Sequence, residues 1–594
     1  MSESANIARH LPLMAAHQPD HPAVKIPRGR TPGGDIDYLV LSFRELDAEV
    51  DAWAAKLTAQ GVRCGDRVLV MVRQGLPLIA AAFALFKLGA VPVIIDPGMG
   101  RKNFLACVAR SKPRALLGIP LAQVMSHVFR SAFKTVKIRI WTSSSPTARV
   151  SGQSAARSPQ SAMVASAATD LAAILFTSGS TGAPKGVCYE HGMFEAQVRL
   201  VRDTYGISPG EVDLPMLPIF ALFNPALGMT TIVPEIDPSR PATVDPAKIV
   251  RAIQQEQVTN TFGSPTLWRI ISRHCLRNNI TLPSVKRVLM AGAPVPPGLF
   301  ADLQKILPNG TAHSPYGATE SLPIATISGP EVTGAGKDQV TSNKGQGGSS
   351  LDTSNLALGT SAATAAGKGT CVGRPVAEVQ IKIIAITDTP IASLADAREL
   401  PAGEIGEIIV RGPVVTKSYD ELSEATALAK IRHPQSAIPN GTSDTWHRMG
   451  DLGYLDASGR LWFCGRKAER VETKSGTLYT EQVEPVFNAH PNVARSALIG
   501  TGHDGRRPAI VIEPVSRDVV ATPSLRRKLV REMRELGAAY PHTDLIRLAY
   551  LHPHFPVDVR HNAKIHRLAL ARWATGHHGY ELDKRDISRE VLKQ

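Results

Sequence analysis

The sequence predicts an α/β protein: a large N-terminal domain of layered sheets and helices, followed by a small α+β domain. Three observations carry this. At 594 residues the chain exceeds what one hydrophobic core supports, so two or more domains are expected. Strand-length apolar runs alternate with helix-length amphipathic runs through the first half, which is the pattern of parallel βαβ units. Beyond Gly465 that alternation gives way to two short strands and one amphipathic helix, so the domains are read as 1–465 and 466–594.

Each element has its own signal. Arg67–Val72, apolar without a break from Val68 on, reads as a buried strand. Leu76–Leu88 reads as a helix closed by Gly89, and Val91–Ile95 as the next strand, completing one βαβ unit. Similar alternation recurs around residues 171–205 and 245–291. Residues 143–168, rich in Ser, Ala, Thr and Arg, read as a surface linker. Residues 333–369, richer still in Gly, Ser, Thr and Ala and without an aromatic residue, read as a mobile loop or an insertion. In the tail, Val493–Ile499 and Pro508–Ile512 read as strands, and Leu525–Leu536 as a helix closed by Gly537.

Composition narrows the class. Six scattered cysteines form no CxxC pair, which points to a reducing, cytoplasmic setting with neither a zinc site nor a disulfide framework. The N-terminus lacks the basic and apolar regions of a signal peptide. The longest apolar stretch, Leu76–Phe86, contains Pro77 and is stopped by Lys87. It falls well short of the roughly 20 residues that span a bilayer. The formal charge of +15 is spread along the chain without a run of five basic residues or interleaved aromatics. It reads as a solvated basic surface plus phosphate-binding residues, not as a nucleic-acid interface. Weak association with a membrane or a partner stays open.

The strongest chemical signal is Thr177-Ser178-Gly179-Ser180-Thr181-Gly182-Ala183-Pro184-Lys185-Gly186, directly after the apolar run Leu171–Phe176. Glycines let backbone N–H groups converge on an anion, hydroxyls add donors, and Lys185 adds a positive charge. The stretch reads as a polyphosphate-holding loop, although the GxxxxGK[ST] order of a Walker A loop is absent. A flexible linker would need neither the strand before it nor Pro184-Lys185-Gly186 after it.

This loop resembles the signature of the adenylate-forming superfamily of acyl-CoA synthetases, luciferases and peptide-synthetase adenylation domains. Tyr316-Gly317-Ala318-Thr319-Glu320 matches that superfamily's YGxTE motif. Trp446–Gly453 matches its TGD-containing motif, with Met449 in place of the usual Thr. Gly465-Arg466 matches its hinge, and Asn562-Ala563-Lys564 stands where the C-terminal catalytic lysine is found, replacing the usual Ser-Gly-Lys. The motifs follow in family order over about four hundred residues. The resemblance implies ATP and Mg²⁺ as cofactors and assigns residues to them. The loop residues and Lys185 would hold the phosphates, Glu320 the Mg²⁺, and Thr319 the α-phosphate. Tyr316 would lie flat on adenine, with Gly317 and the segment Gly292-Ala293-Pro294 beside it. Asp451 would accept from the ribose diol, and Arg466 would support ribose or phosphate. Lys564, on the lid, would bridge the substrate carboxylate and the α-phosphate, so the catalytic residues expected are Lys564, Thr319 and Glu320. His447, His561 and His566 receive no role, since surface histidines are common.

Departures from the general pattern select a subgroup. Ala221 stands where acyl-CoA synthetases often carry His and where amino-acid-activating domains carry Asp. Without that carboxylate a buried ammonium lacks a counter-charge, which disfavours amino acids. Ala468 replaces the common hinge Asp or Lys, and the glycine expected beside a pantetheine tunnel is displaced by one position, which weakens the case for CoA. Segments 220–228, 291–297, 447–454, 461–466, 478–487 and 555–564 resemble the OleC-type β-lactone synthetases of bacterial long-chain olefin biosynthesis. That resemblance implies a long-chain 2-alkyl-3-hydroxy fatty acid substrate, an adenylate, and closure by the substrate's own β-hydroxyl. It also implies the other enzymes of an olefin-biosynthesis assembly as partners. A fatty acyl-CoA or acyl-AMP ligase is the alternative enzyme, and a non-catalytic nucleotide-binding scaffold the alternative outside enzymes.

Overall fold

The computed structural model describes residues 4–142, 162–177, 183–237, 240, 243–334, 359–432, 445–557 and 565–582. The predicted βαβ unit is present as Arg67–Met71, Leu76–Lys87 and Val91–Ile95. Its helix is apolar all round and correspondingly buried, with Ile79 to Leu85 nearly inaccessible. Lys87 is itself buried, and its ammonium is bonded to the Asp51 carboxylate on the neighbouring helix Phe43–Ala59. That helix starts with a capping box: Ser42 Oγ accepts from the Glu45 N–H, and the Glu45 carboxylate accepts from the Ser42 N–H.

Two sheets build the N-terminal part. In the first, Ile138–Trp141, Ala115–Gly118, Arg67–Met71, Val91–Ile95 and Leu171–Thr177 lie side by side and parallel, and Lys185–Glu190 is added antiparallel. The second has fourteen strands among the described residues. One half is parallel, running through Val212–Pro215, Asn260–Gly263, Arg287–Met290 and Thr311–Ala318. The other half is antiparallel, running through Ser321–Ser328, Thr370–Pro375, Leu461–Arg466, Thr445–Leu455, Gly406–Arg411 and Gln380–Ile384. The change of direction falls at the hairpin between Thr311–Ala318 and Ser321–Ser328. Helices Pro246–Glu256, Pro265–Arg277 and Pro297–Ile306 cover the parallel half, burying Ile253, Leu267, Trp268, Ile271 and Leu303. Side chains of this size contribute about 1.5–3 kcal/mol each on full burial.

The C-terminal part is α+β. A four-stranded sheet of Val493–Thr501, Arg507–Pro514, Leu548–Leu551 and Tyr580–Glu581 packs with helices Thr480–Asn488, Pro523–Ala538 and Arg567–Ala574. The helix expected to close at Gly537 continues to Ala538. Gly537 is buried within the helix, facing the Phe487 ring, and so is not its cap. Of the predicted linker 143–168, residues 143–161 lie outside the described residues. Its end is pinned down, since the Val164 N–H donates to the Lys87 carbonyl at 2.9 Å and the Ala5 N–H to the Ser166 carbonyl at 2.9 Å. Of the segment 333–369, residues 335–358 lie outside the described residues, and Gly359–Ala365 is a helix instead of loop.

Glu407 and Arg448 form a buried pair, 1% and 3% exposed, joining Gly406–Arg411 to Thr445–Leu455. Arg448 Nη2 donates to Glu407 Oε2 at 2.6 Å, and Lys467 Nζ reaches the same oxygen at 3.3 Å. Glu407→Ala leaves a buried guanidinium without its counter-charge. It is expected to cost about 3–5 kcal/mol in chemical denaturation, whereas an isolated surface pair would cost about 1 kcal/mol or less.

Candidate active site

The hairpin at the parallel–antiparallel joint carries Tyr316 to Glu320. Its turn is Thr319-Glu320, and the strand pairing shifts register between Tyr316 and Ala318. A Cβ at Gly317 would stand 2.7 Å from the Ser321 carbonyl oxygen, which is why the bulge takes a glycine. Asp451 and Arg466 face each other as register partners on adjacent strands. Asp451, 3% exposed, accepts from the Tyr316 hydroxyl through Oδ2 at 2.7 Å and is paired with Arg466 Nη1 through Oδ1 at 2.7 Å. Burial first, and then the Asp451 charge, push the Tyr316 hydroxyl far above its ordinary value, so it stays a donor. The Asp451 charge raises Arg466 in turn. The structure thus brings Tyr316, Asp451 and Arg466 into contact. Gly292, Ala293 and Pro294 lie in the loop after Arg287–Met290, at the carboxyl ends of the parallel strands, where open α/β sheets place ligands.

The second group of residues gathers on the Glu320 side. Thr177 pairs with Lys185 across the strands flanking the glycine-rich loop; Ser178, Gly179, Ser180, Thr181 and Gly182 lie outside the described residues. Lys185 Nζ stands 4.7 Å over the Tyr419 ring, and the Tyr419 hydroxyl donates to Glu320 Oε1 at 2.8 Å. The Thr416 N–H donates to the Glu320 carbonyl at 2.9 Å, and the Asp420 N–H to the Gly186 carbonyl at 2.7 Å. The Thr319 carbonyl accepts from the Tyr189 hydroxyl. The chain from Thr416 to Asp420 therefore stitches the Lys185–Glu190 strand to the hairpin turn.

Sequence reading missed a cation here. Lys430, 4% exposed, donates to Thr416 Oγ1 at 3.0 Å and lies 5.9 Å from the Tyr419 ring centre. Burial pushes its ammonium down to about 7, against the pull of the Glu320 carboxylate and with the push of Lys185. Its signal was a lysine inside the apolar run Ala427-Leu428-Ala429-Lys430-Ile431. His447 is 2% exposed and not on the surface, as had been expected. Burial drives it far below its ordinary value, so the ring is neutral, with Nδ1 donating to the Ala429 carbonyl at 3.1 Å. His566 is exposed, and His561 lies outside the described residues.

A cavity opens beside the hairpin, walled by Phe220, Phe223, Phe262, Leu289 and Leu322. The Phe220 and Phe262 rings stack with centroids 3.5 Å apart. Ala221 is buried and lies outside the cavity lining. A carboxylate the sequence did not reveal is at the cavity floor: Asp213 accepts from Asn224 Nδ2 at 2.9 Å and Asn260 Nδ2 at 2.7 Å. Burial pushes Asp213 up to about 6 despite those two donors.

At the junction of the two parts, Gly465 has φ +132°, and a Cβ there would stand 2.2 Å from Thr480 Oγ1. Lys564 lies outside the described residues. Three positions on, Arg567 is fixed from both sides: it is bidentate to Glu484 at 2.7 and 2.6 Å and reaches Glu469 at 2.9 Å. Among the described residues no cluster of three metal-ligating side chains occurs, and no helix is long and apolar enough to cross a membrane.

The family described as AMP-binding enzyme matches residues 13–420. An olefin beta-lactone synthetase of Stenotrophomonas maltophilia is 44% identical over 593 residues, 98% of this chain and 100% of that protein. Another, from Xanthomonas campestris pv. campestris, is 44% identical over 97% of this chain and 98% of its own. Among solved structures, ATP-bound MatB from Rhodopseudomonas palustris aligns with a TM-score of 0.72 at 19% identity, over 96% of this chain and 99% of its own. The amide bond synthetase McbA from Marinactinospora thermotolerans aligns at 0.70 and 21%, over 96% and 100%. These two structures establish the shared fold.

The depressed Lys430 has a pH signature. Below about pH 7 both the folded and the unfolded chain carry the proton, and the burial cost is fully present. Between there and the ordinary lysine value of 10.5 only the unfolded chain binds it, so this contribution to stability climbs with pH. Lys430→Met removes the cost. The variant is expected to melt above the parent at about pH 6, with the difference closing toward about pH 10. Calorimetry across that range checks it, and a difference independent of pH would assign the effect to packing alone.

Proposed function

The chain belongs to the AMP-binding enzyme family, and from that premise we propose that it is an ATP-dependent, AMP-forming β-lactone synthetase. Its substrate is a long-chain 2-alkyl-3-hydroxy fatty acid. The observation that carries the reading is the 44% identity to two olefin beta-lactone synthetases over nearly the whole chain. The aromatic and aliphatic wall of the cavity beside the Tyr316–Glu320 hairpin supports it with a surface suited to an alkyl chain.

In the first step a substrate carboxylate oxygen attacks the α-phosphorus of ATP and pyrophosphate leaves. Two anions meet, so the work is neutralisation and positioning. Lys185 and the loop Thr177–Gly182 take the β- and γ-phosphates, Thr319 donates to the α-phosphate, and Lys564 bridges carboxylate and phosphate. Tyr316, with Gly317 and Gly292-Ala293-Pro294, lines the adenine side. Asp451 and Arg466 hold the ribose, which requires Asp451 to exchange or share its present bonds to Tyr316 and Arg466. In the second step the 3-hydroxyl oxygen attacks the acyl carbon, the bond from that carbon to the phosphate oxygen breaks to release AMP, and the hydroxyl proton passes to solvent. The nucleophile is already tethered, so no second binding event is needed.

The residues fit Mg²⁺. This ion takes one or two carboxylates and completes its shell with waters and substrate phosphates, and Glu320 offers such a carboxylate beside Lys185 and Tyr419. When bound, Mg²⁺ would supply charge neutralisation to the departing pyrophosphate. The division of labour follows domains 1–465 and 466–594, the second acting as a lid that delivers Lys564. The reading carries a cytoplasmic location and partner enzymes that supply the hydroxy acid and consume the lactone.

Incubation with ATP, Mg²⁺ and a 2-alkyl-3-hydroxy acid is expected to give the β-lactone with or without CoA, identified by NMR. A thioester as sole product would instead place the chain with the acyl-CoA ligases. Lys564→Ala should cut adenylation by about 10²–10³ with little change in ATP affinity. Lys185→Ala should weaken ATP binding itself. Pyrophosphate exchange and nucleotide titration separate the two effects.

A further inference from the structure

We propose that the side-chain carbonyl of Gln197 accepts a hydrogen bond from the substrate's 3-hydroxyl, selecting 3-hydroxy acids and aiming that oxygen for ring closure. The inference rests on the cavity being the acyl site of the reaction above. Gln197 sits on helix His191–Tyr205, where Gln197, Val201 and Tyr205, four residues apart, line the cavity from one helix face. It is 3% exposed, and apart from the Asp213–Asn224–Asn260 cluster its neighbours in the wall are mostly apolar.

Its orientation is fixed by chemistry. Gln197 Nε2 donates to the Leu322 carbonyl at 3.0 Å, and a carbonyl can only accept, so Oε1 must point elsewhere. Among the described residues Oε1 has no hydrogen-bond partner. A buried acceptor left in that condition is costly, and it is answered by a ligand that brings one donor to the hairpin end of the cavity, away from the Asp213–Asn224–Asn260 cluster. A fatty acyl chain has no such donor; its 3-hydroxy derivative has one.

The depth agrees with the position of that hydroxyl. Leu322 follows the Thr319-Glu320 turn by two residues, and Gln197 lies beside Tyr189, whose hydroxyl is bonded to the Thr319 carbonyl. Gln197 is therefore at the hairpin end of the cavity, where the carboxyl group and its near carbons must lie. Asn260 Oδ1 is also without a partner, but Asn260 begins its strand, beside Asp213 and Arg287. That is three residues, about 10 Å, from the strand's carboxyl end, at the depth of the alkyl chain. An amide carbonyl is too weak a base to keep the proton, so Gln197 orients the hydroxyl and does not deprotonate it.

The test compares a 2-alkyl-3-hydroxy acid with the matching 2-alkyl acid lacking the hydroxyl, in wild type and in Gln197→Met, which keeps the side chain's length. Wild type is expected to favour the hydroxy acid in kcat/KM for adenylation by on the order of ten-fold or more. Gln197→Met is expected to erase that ratio by losing activity on the hydroxy acid only, and to release more free acid per AMP in place of lactone. Equal loss on both acids, or an unchanged ratio, would overturn the assignment. Should the variant fail to fold, the wild-type ratio still decides: equal use of the two acids refutes the proposal. Lactone formation by wild type is scored separately, so a failure of the overall reaction is not confused with a failure of this contact.

Discussion

Asp451 keeps a carboxylate under almost complete cover, and the geometry around it follows from the need to satisfy that charge. Removing a carboxylate from water costs several kcal/mol unless close, well-aligned partners replace the solvent. Its partners come from distant places: Arg466 from the adjacent strand, and Tyr316 from four steps away in sheet order. At about 4.8 Å per strand a flat sheet would hold those strands roughly 19 Å apart. A bond of 2.7 Å between the two side chains is reached only because the sheet curls over the site. The Tyr316–Asp451–Arg466 chain thus closes the parallel half of the sheet onto the antiparallel half.

A second electrostatic arrangement shares that pocket. Lys185 and Lys430 both approach one tyrosine ring, and after burial the Lys185 charge helps push the Lys430 ammonium down, while Glu320 is a nearby counter-charge. Such a cluster is more comfortable with an anion present than without one. An anion bound between them would ease the mismatch that burying Lys430 creates.

The parallel strands were legible because a strand covered on both faces reads as an unbroken apolar run, as Arg67–Met71 and Val91–Ile95 do. The hairpin and the Asp451–Arg466 pair were legible because their motifs are local. What escaped was set by long-range contact. Lys430 meets Thr416 and Tyr419 only after the chain folds back, and Asp213 is held by Asn224 and Asn260, which no periodicity links. Gln197 was hidden differently: one amide in an amphipathic helix is unremarkable until its neighbour proves to be a carbonyl 125 residues away. His447 was misplaced because Trp446 to Met449 are buried on both faces of their strand, where alternation gives no warning.

The two anchors around the domain junction locate its pivot. Lys467 is tied back to the large domain, its Nζ donating to the Thr387 carbonyl at 2.8 Å and reaching Glu407 at 3.3 Å. Glu469 is tied forward, through Arg567, to the helix start that follows Lys564. Arg470 is tied back as well, its Nη2 bonded to Asp388 at 3.2 Å and its Nη1 donating to the Lys467 carbonyl at 2.7 Å, so a turn of the small domain as a body must release that contact before the dihedrals around Ala468 are free. A methyl group there meets little and bonds to nothing, unlike the charged residues common at that position. The link is correspondingly short, since the start of helix Arg567–Ala574 is held to Glu469 through a 2.9 Å contact.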